Sequence, residues 1–255
     1  MNAEVNRAMS ASEEIVVDSS GAHALFRPVR TGNAFEDTVA RLLQTIRLGI
    51  VLPGEALPPE RELAVMFSVS RDTVREAIRS LADAGFLVSR RGRYGGTFVS
   101  DELPHAAPDL AVAEEPLTAE LIDDVLGLRE IVEVGAARAA AARSLSAADR
   151  ELVWARLSET NGADVSDYRR LDSRLHVTIA EITGIPSLVP LLADNRTAVN
   201  SLLDRIPLIS RNISHSNEQH EAIVVAILTG DSERAAAEML EHLGGTASLL
   251  RGFLA

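Results

Sequence analysis

Cysteine is absent from this 255-residue chain. That excludes a disulfide framework and any thiolate metal site, so a transition metal here must be held by histidine and carboxylate. Lysine is absent as well, and all 25 basic residues are arginine, which offers planar, bidentate contacts that lysine cannot make. No apolar run approaches the roughly 18 residues needed to cross a bilayer. The opening MNAEVNRAMSASEE lacks the basic and apolar regions of a signal peptide, so a cytoplasmic protein away from membranes is expected.

What is present is unevenly spread. Residues 1–20 carry one arginine against four acidic residues, residues 21–100 carry 11 against 8, and residues 101–255 carry 13 against 25. The net charge of -12 therefore hides a modestly basic segment followed by a strongly acidic one. Only the first is suited to meet a polyanion, since the second would be repelled by it. Residues 1–30 are polar, small and without periodicity, which predicts a disordered arm. Residues 31–100 form a first domain, residues 101–116 (DELPHAAPDLAVAEEP) a linker rich in proline, alanine and acid, and residues 117–255 a second domain.

In the first domain, FEDTVARLLQTIRL (35–48) places Val39, Leu42, Leu43 and Ile46 at helical spacing. A glycine- and proline-rich break follows, then a short helix ERELAVMF entered through Pro59, a turn, and a third helix with Ser70 as N-cap. That helix buries Val74, Ala77, Ile78 and Leu81 and ends at Gly85. Two strands, Phe86–Arg90 and Thr97–Ser100, are joined by a glycine- and arginine-rich tip. The order is that of a winged helix-turn-helix. Arg71, Thr73, Arg75 and Arg79 fall on the solvent side of the third helix, Arg61 stands beside it, and Arg90, Arg91 and Arg93 surround the glycines of the tip. A major groove admits one helix, and guanidinium matches both guanine edges and phosphate oxygens. The alternative is a solvated face on which these arginines pair with Glu60, Glu62, Asp72 and Glu76.

At this point a resemblance becomes specific. The phrases LPPERELA, VSRDTVREAI and GGTFV resemble the DNA-binding domain of the GntR family of bacterial transcription regulators over about 65 residues. The resemblance implies that Arg61, Arg71 and Arg75 contact DNA and that the wing tip enters the minor groove. The set expected at double-stranded DNA is Arg61, Ser70, Arg71, Thr73, Arg75, Arg93 and Gly95.

The second domain reads as all α, with helices near 117–143, 146–160, 164–183, 186–206, 211–229 and 231–252, so the whole chain is mainly α. Asp172 and His176, four residues apart, share one helical face and can reach one ion. His220 and His242 lie on inward stripes of the last two helices, whereas His215 falls off that face. Spacing alone leaves two readings open: three separately satisfied core histidines, or one shared metal. This half resembles the effector domain of the FadR subgroup, the FCD domain, in its metal-binding branch. The resemblance implies that Asp172, His176, His220 and His242 bind a divalent ion, zinc ahead of nickel, manganese or iron. Two departures are evident: Ile185 stands in TGIPSL where the family usually has asparagine, and the domain is unusually alanine-rich.

Arg129 interrupts the stripe Ile122, Val125, Val132, Ala136, where it either clamps a carboxylate effector or pairs with Glu133 one turn along. Asn195, on the stripe Leu188, Leu192, Val199, is a second candidate for effector contact. The expected function is a transcription regulator, a repressor, that binds a near-palindromic operator as a homodimer and answers to a small carboxylate, hydroxy-acid or sugar-acid effector. Two alternatives stand beside it. One is a metal-dependent hydrolase with Glu181 or Glu221 as base, although HExxH, nucleophile-elbow and P-loop motifs are all missing. The other is a constitutive DNA-binding protein with a structural metal.

Overall fold

A computed structural model describes residues 34–92, 95–104, 117–206 and 210–254. The arm expected over 1–30, Arg93 and most of the 101–116 linker lie outside the described residues. The amino-terminal head contains α1 (Ala34–Arg47), α2 (Glu60–Phe67), α3 (Arg71–Asp83), β1 (Leu87–Arg90) and β2 (Gly96–Val99). The carboxy-terminal body contains α4 (Ala119–Ala142), α5 (Ala147–Asn161), α6 (Tyr168–Glu181), α7 (Leu188–Leu203), α8 (Ser210–Thr229) and α9 (Ser232–Leu254).

Local chemistry sets the head. Pro59, at φ -54°, precedes α2, and Ser68 at φ 56° turns the chain out of that helix in the left-handed conformation. Two residues later the Ser70 hydroxyl accepts from the Thr73 amide at 3.0 Å and caps α3. Gly85, at φ 83°, lets the chain reverse after α3, with the Phe86 amide donating to the Leu81 carbonyl. Val74, Ala77, Ile78 and Leu81 of α3 join Leu42 and Ile46 of α1, Leu63 and Phe67 of α2, and Leu87 and Val99 of the hairpin in one core. Each large aliphatic side chain buried this way contributes about 1.5–3 kcal/mol.

β1 and β2 pair antiparallel, with Leu87 opposite Val99 and Arg90 opposite Gly96. The sheet also gains an edge that alternation in the sequence did not signal. Ala56 bridges Phe98, the Leu57 amide donates to the Thr97 carbonyl, and the Val99 amide donates to the Glu55 carbonyl. The break read as loop before α2 therefore anchors the wing.

In the body, α4 packs along α9 and also touches α6, α7 and α8, which makes it the central helix. Its alanines Ala136, Ala137, Ala140 and Ala141 are buried, and their small side chains allow neighbouring helices close approach. α6 begins four residues later than the periodicity suggested, because Asp164–Asp167 forms a turn in which the Asp167 and Tyr168 amides both donate to the Asp164 carbonyl. Leu48, just after α1, belongs to the core of the body rather than of the head.

Candidate functional site

Two sites sit on this frame, and the first is the exposed side of α3. Opposite its buried stripe, Arg71, Arg75 and Arg79 are solvent-exposed, as is Arg61 at the start of α2. Arg75 donates to Asp72 at 3.0 Å and reaches Glu60 at 3.3 Å, while Arg61 lies 4.0 Å from Glu62. These pairs are exposed, each worth about 0–1 kcal/mol, so phosphates or bases can displace them cheaply. In the wing, Gly95 has no room for a side chain: a Cβ would stand 2.5 Å from the Arg90 carbonyl oxygen and 2.9 Å from that of Gly92. The Gly95 amide closes the tip by donating to the Gly92 carbonyl at 2.9 Å. Arg90 lies over the Phe98 ring at 4.6 Å and 3.6 Å from Asp101, a placement that holds it against the sheet.

The second site lies inside the body. His176 of α6, His220 of α8 and His242 of α9 are buried and Asp172 of α6 nearly so, and one donor atom from each lies within 4.8 Å of the others. The three Nε2 atoms converge: His176 to His220 at 3.3 Å and His220 to His242 at 3.2 Å, with Asp172 Oδ1 3.3 Å from His220 Nε2 and 3.8 Å from that of His176. Neutral imidazole carries one proton, and the partner of the other nitrogen decides where it sits. His176 Nδ1 faces the Glu133 carboxylate, and His242 Nδ1 lies 3.2 Å from Gln219 Oε1. Both partners accept, so both protons belong on Nδ1 and the Nε2 lone pairs point at one another. Burial lowers the pKa of His176, and burial together with His220 and His176 holds that of His242 well below the ordinary histidine range.

Lone pairs turned inward on His176 and His242 are available to a cation held among the four side chains. Metal–nitrogen bonds of about 2.0–2.1 Å place neighbouring ligands roughly 3–3.4 Å apart; the three contacts of His220 Nε2, at 3.2–3.3 Å, have that spacing, whereas Asp172 to His176 at 3.8 Å is wider. The residues present thus fit a divalent ion held by three imidazoles and one carboxylate.

A layer of charge surrounds this cluster. Arg196 of α7, with no solvent exposure, pairs with Asp172 Oδ2, donates to Ser173 Oγ at 3.2 Å and lies 3.6 Å from Glu133. Burial would raise both carboxyl groups. For Asp172 the neighbouring Arg196 and the hydrogen bond to His220 outweigh it; for Glu133 the neighbours His176, Arg129 and Arg196 do so. Both stay ionised. Arg129 Nε donates to Glu133 Oε1 at 3.2 Å, while its buried Nη1 has no hydrogen-bond partner. The two readings of Arg129 are thus compatible, since one edge of the guanidinium pairs with Glu133 and the residue also lines a cleft.

That cleft, about 590 Å³ including its solvent-open mouth, is bounded by Arg129, Tyr168, Arg169, Asp172, Ser216, His242 and Thr246, with Asn212, Leu203, Ile206, Ile213 and Leu249 completing the wall. Asn195 is not brought there: its amide donates to the Val125 carbonyl at 3.0 Å, which turns the side chain toward α4 instead. His215 is exposed and 4.0 Å from Glu218, away from the cluster. Glu181 and Glu221 do not line the cleft either. Arg196, Gln219, Tyr168 and Ser216 were not singled out from the sequence. A signal for Arg196 existed, because it interrupts the stripe Leu192, Val199 of α7 as Arg129 interrupts that of α4.

Comparison with known proteins matches the same two units. Residues 35–99 match the model for bacterial regulatory proteins of the gntR family, and residues 124–245 match the FCD domain. The chain is 31% identical over 225 residues to the HTH-type transcriptional regulator LutR of Bacillus subtilis, covering 82% of this chain and 97% of that one. It is 27% identical over 228 residues to the galactonate operon transcriptional repressor of Escherichia coli, covering 87% and 98%. Among solved structures, E. coli McbR/YncC shares the fold at a TM-score of 0.53 and 16% identity, covering 86% of this chain and 97% of that one. With a head that folds as a winged helix-turn-helix and a helical body that carries a charged cleft, this chain belongs to the GntR family, as a DNA-binding transcription regulator with an FCD effector domain.

Proposed function

We propose that the chain is a repressor that binds a near-palindromic operator as a homodimer, in the cytoplasm, and releases it when a small carboxylate binds in the cleft beside a divalent ion. Asp172, His176, His220 and His242 hold the ion, with zinc the leading candidate and nickel, manganese or iron also suited to the donors. Arg61, Ser70, Arg71, Thr73 and Arg75 meet the duplex with α3 in the major groove, while Arg93 and Gly95 take the wing to the minor groove.

The observation that carries the effector half is a charge balance. Arg129 and Arg196 cancel Glu133 and Asp172. A divalent ion would then leave two positive charges in a buried site, which an anionic ligand offsets. The buried Arg129 Nη1 without a partner supplies the directional contact for a carboxylate. When bound, the ion supplies an electrophilic anchor for a carboxylate or hydroxyl oxygen. The hydroxy-acid and sugar-acid classes fit this reading, and one relative is a galactonate operon repressor. Asn195, whose Nδ2 donates to the Val125 carbonyl, keeps a buried Oδ1 without a hydrogen-bond partner and remains the second candidate for effector contact. A hydrolytic reading is not favoured, since Glu181 and Glu221, the two carboxylates considered as bases, do not line the cleft.

The test is fluorescence-anisotropy titration of promoter fragments from the source genome at several salt concentrations, with zinc present and with a panel of small carboxylates. Arg75→Ala should weaken operator binding by about 5- to 150-fold and flatten the salt dependence by about one phosphate contact, with zinc content unchanged. His220→Ala should lose zinc and the carboxylate response while still binding DNA. Salt-independent or absent association with every fragment would end the DNA half of the reading, and full zinc occupancy in His220→Ala would end the ligand set.

A further inference from the structure

The head does not merely hang from the body by its linker. α1 and the turn after it rest on α6 and α7, the helices that carry part of the buried charge cluster. Arg41 Nη1 donates to Asp194 Oδ1 at 2.8 Å, and Gln44 Nε2 donates to the same oxygen at 3.0 Å and to Thr197 Oγ1 at 3.1 Å. Leu48 is buried in the core of the body. Gly49, at φ 67°, lies so close to α6 that a Cβ there would stand 3.0 Å from Arg170 Cγ and 3.1 Å from the Arg170 carbonyl oxygen.

On both helices the residues that hold the head lie within two positions of residues that hold the cluster. On α6, Arg170 meets Gly49 and Asp172 faces the imidazoles. On α7, Asp194 and Thr197 face α1, while Arg196 between them points inward to Asp172 and Glu133. Arg196 also ties the two helices together through Ser173, whose hydroxyl accepts a second hydrogen bond from Asn200 at 2.9 Å. Because Arg196 is fully buried and held by both Asp172 and Ser173, a displacement of those partners that shifts the α7 backbone also shifts Asp194 and Thr197.

We propose that this α6–α7 clasp couples occupancy of the buried cluster to the docking of the DNA-reading head, with Arg196 as the positioning residue between them. The proposal rests on the metal reading above. An ion that draws on Asp172 Oδ1 changes the balance on the carboxylate whose Oδ2 Arg196 holds, and the outward face of α7 carries the change to Arg41 and Gln44. Coupling of this kind is reciprocal, so loosening the head must alter affinity at the cluster.

The experiment measures zinc affinity of the full chain by competition with a chromophoric chelator, for wild type, Asp194→Ala and Arg138→Ala. Asp194 is a partly exposed surface residue outside the cluster, and Arg138 belongs to an unrelated exposed pair with Glu233. Asp194→Ala should shift the zinc dissociation constant roughly threefold or more in either direction, and Arg138→Ala should leave it at the wild-type value. Hydrogen exchange of residues 41–50 should respond to zinc in wild type and lose that response in Asp194→Ala. An unchanged dissociation constant in Asp194→Ala, with exchange at 41–50 indifferent to zinc, overturns the clasp and leaves the DNA and metal readings standing. Failure of the wild-type chain to bind zinc, nickel, manganese or iron overturns the clasp and the metal reading together.

Discussion

Burial at single residues makes demands that the surroundings meet to different degrees. Asp172 and Glu133 are ionised inside the body because guanidinium groups stand against them, whereas Glu181 is less well served. Arg156 and Arg174 both turn to Glu159, at 2.6 and 3.3 Å. Burial then pushes the Glu181 carboxyl up to about 7, against the smaller pull of those two arginines. A carboxyl raised in the folded state stabilises the fold fully below its ordinary value near 4.5 and loses that contribution as pH rises through about 7. Glu181→Gln removes the cost of ionisation. Discounted for partial exposure, it should stabilise the protein by about 1–2 kcal/mol at pH 8 and have almost no effect near pH 4.5. Chemical denaturation at the two pH values checks this, and an equal effect at both would show that packing, not charge, governs the position.

Among the elements, the wing depends closely on a single residue without a side chain. At Gly95 the nearest atoms are backbone, the Arg90 and Gly92 carbonyl oxygens, so an added methyl group cannot be absorbed by rotating a side chain. Gly95→Ala should open the tip and reduce operator affinity by roughly tenfold, while the melting of the head core, which includes no residue of the tip, changes little. Anisotropy titration against the wild-type operator and a thermal melt separate the two effects, and unchanged affinity would remove the wing from the interface. The contrast between elements also explains what could be read beforehand. α3 was legible because its stripe, its Ser70 cap and its Gly85 stop are all local. The pairing of Ala56 with Phe98 joins segments 42 residues apart and leaves no periodic trace. The same holds in the body. Asp172 and His176 share one helix and stood out by spacing, whereas the role of Arg196 depends on partners from α4 and α6 that only the packed bundle supplies.

At the scale of the whole molecule the chain divides its labour by charge and by core. The basic head and acidic body hold separate apolar clusters, and the candidate metal donors come from α6, α8 and α9 of the body alone. An ion there ties three helices at once, and because it binds the folded body and not the unfolded chain, its binding energy adds to the stability of the fold. With free zinc at about a thousand times the dissociation constant, that amounts to about 4 kcal/mol, or roughly 8–16 °C for a domain of this size. Removing zinc with a chelator should therefore lower the melting transition of the body, and adding it back should restore it. Hydrogen exchange should locate the loss in α6, α8 and α9, while the α2–α3 core of the head, which shares no residue with the cluster, keeps its protection. Protection lost equally from head and body would mean that the two unfold as one unit, and a melting curve indifferent to chelation would count against a metal among the inward-facing imidazoles.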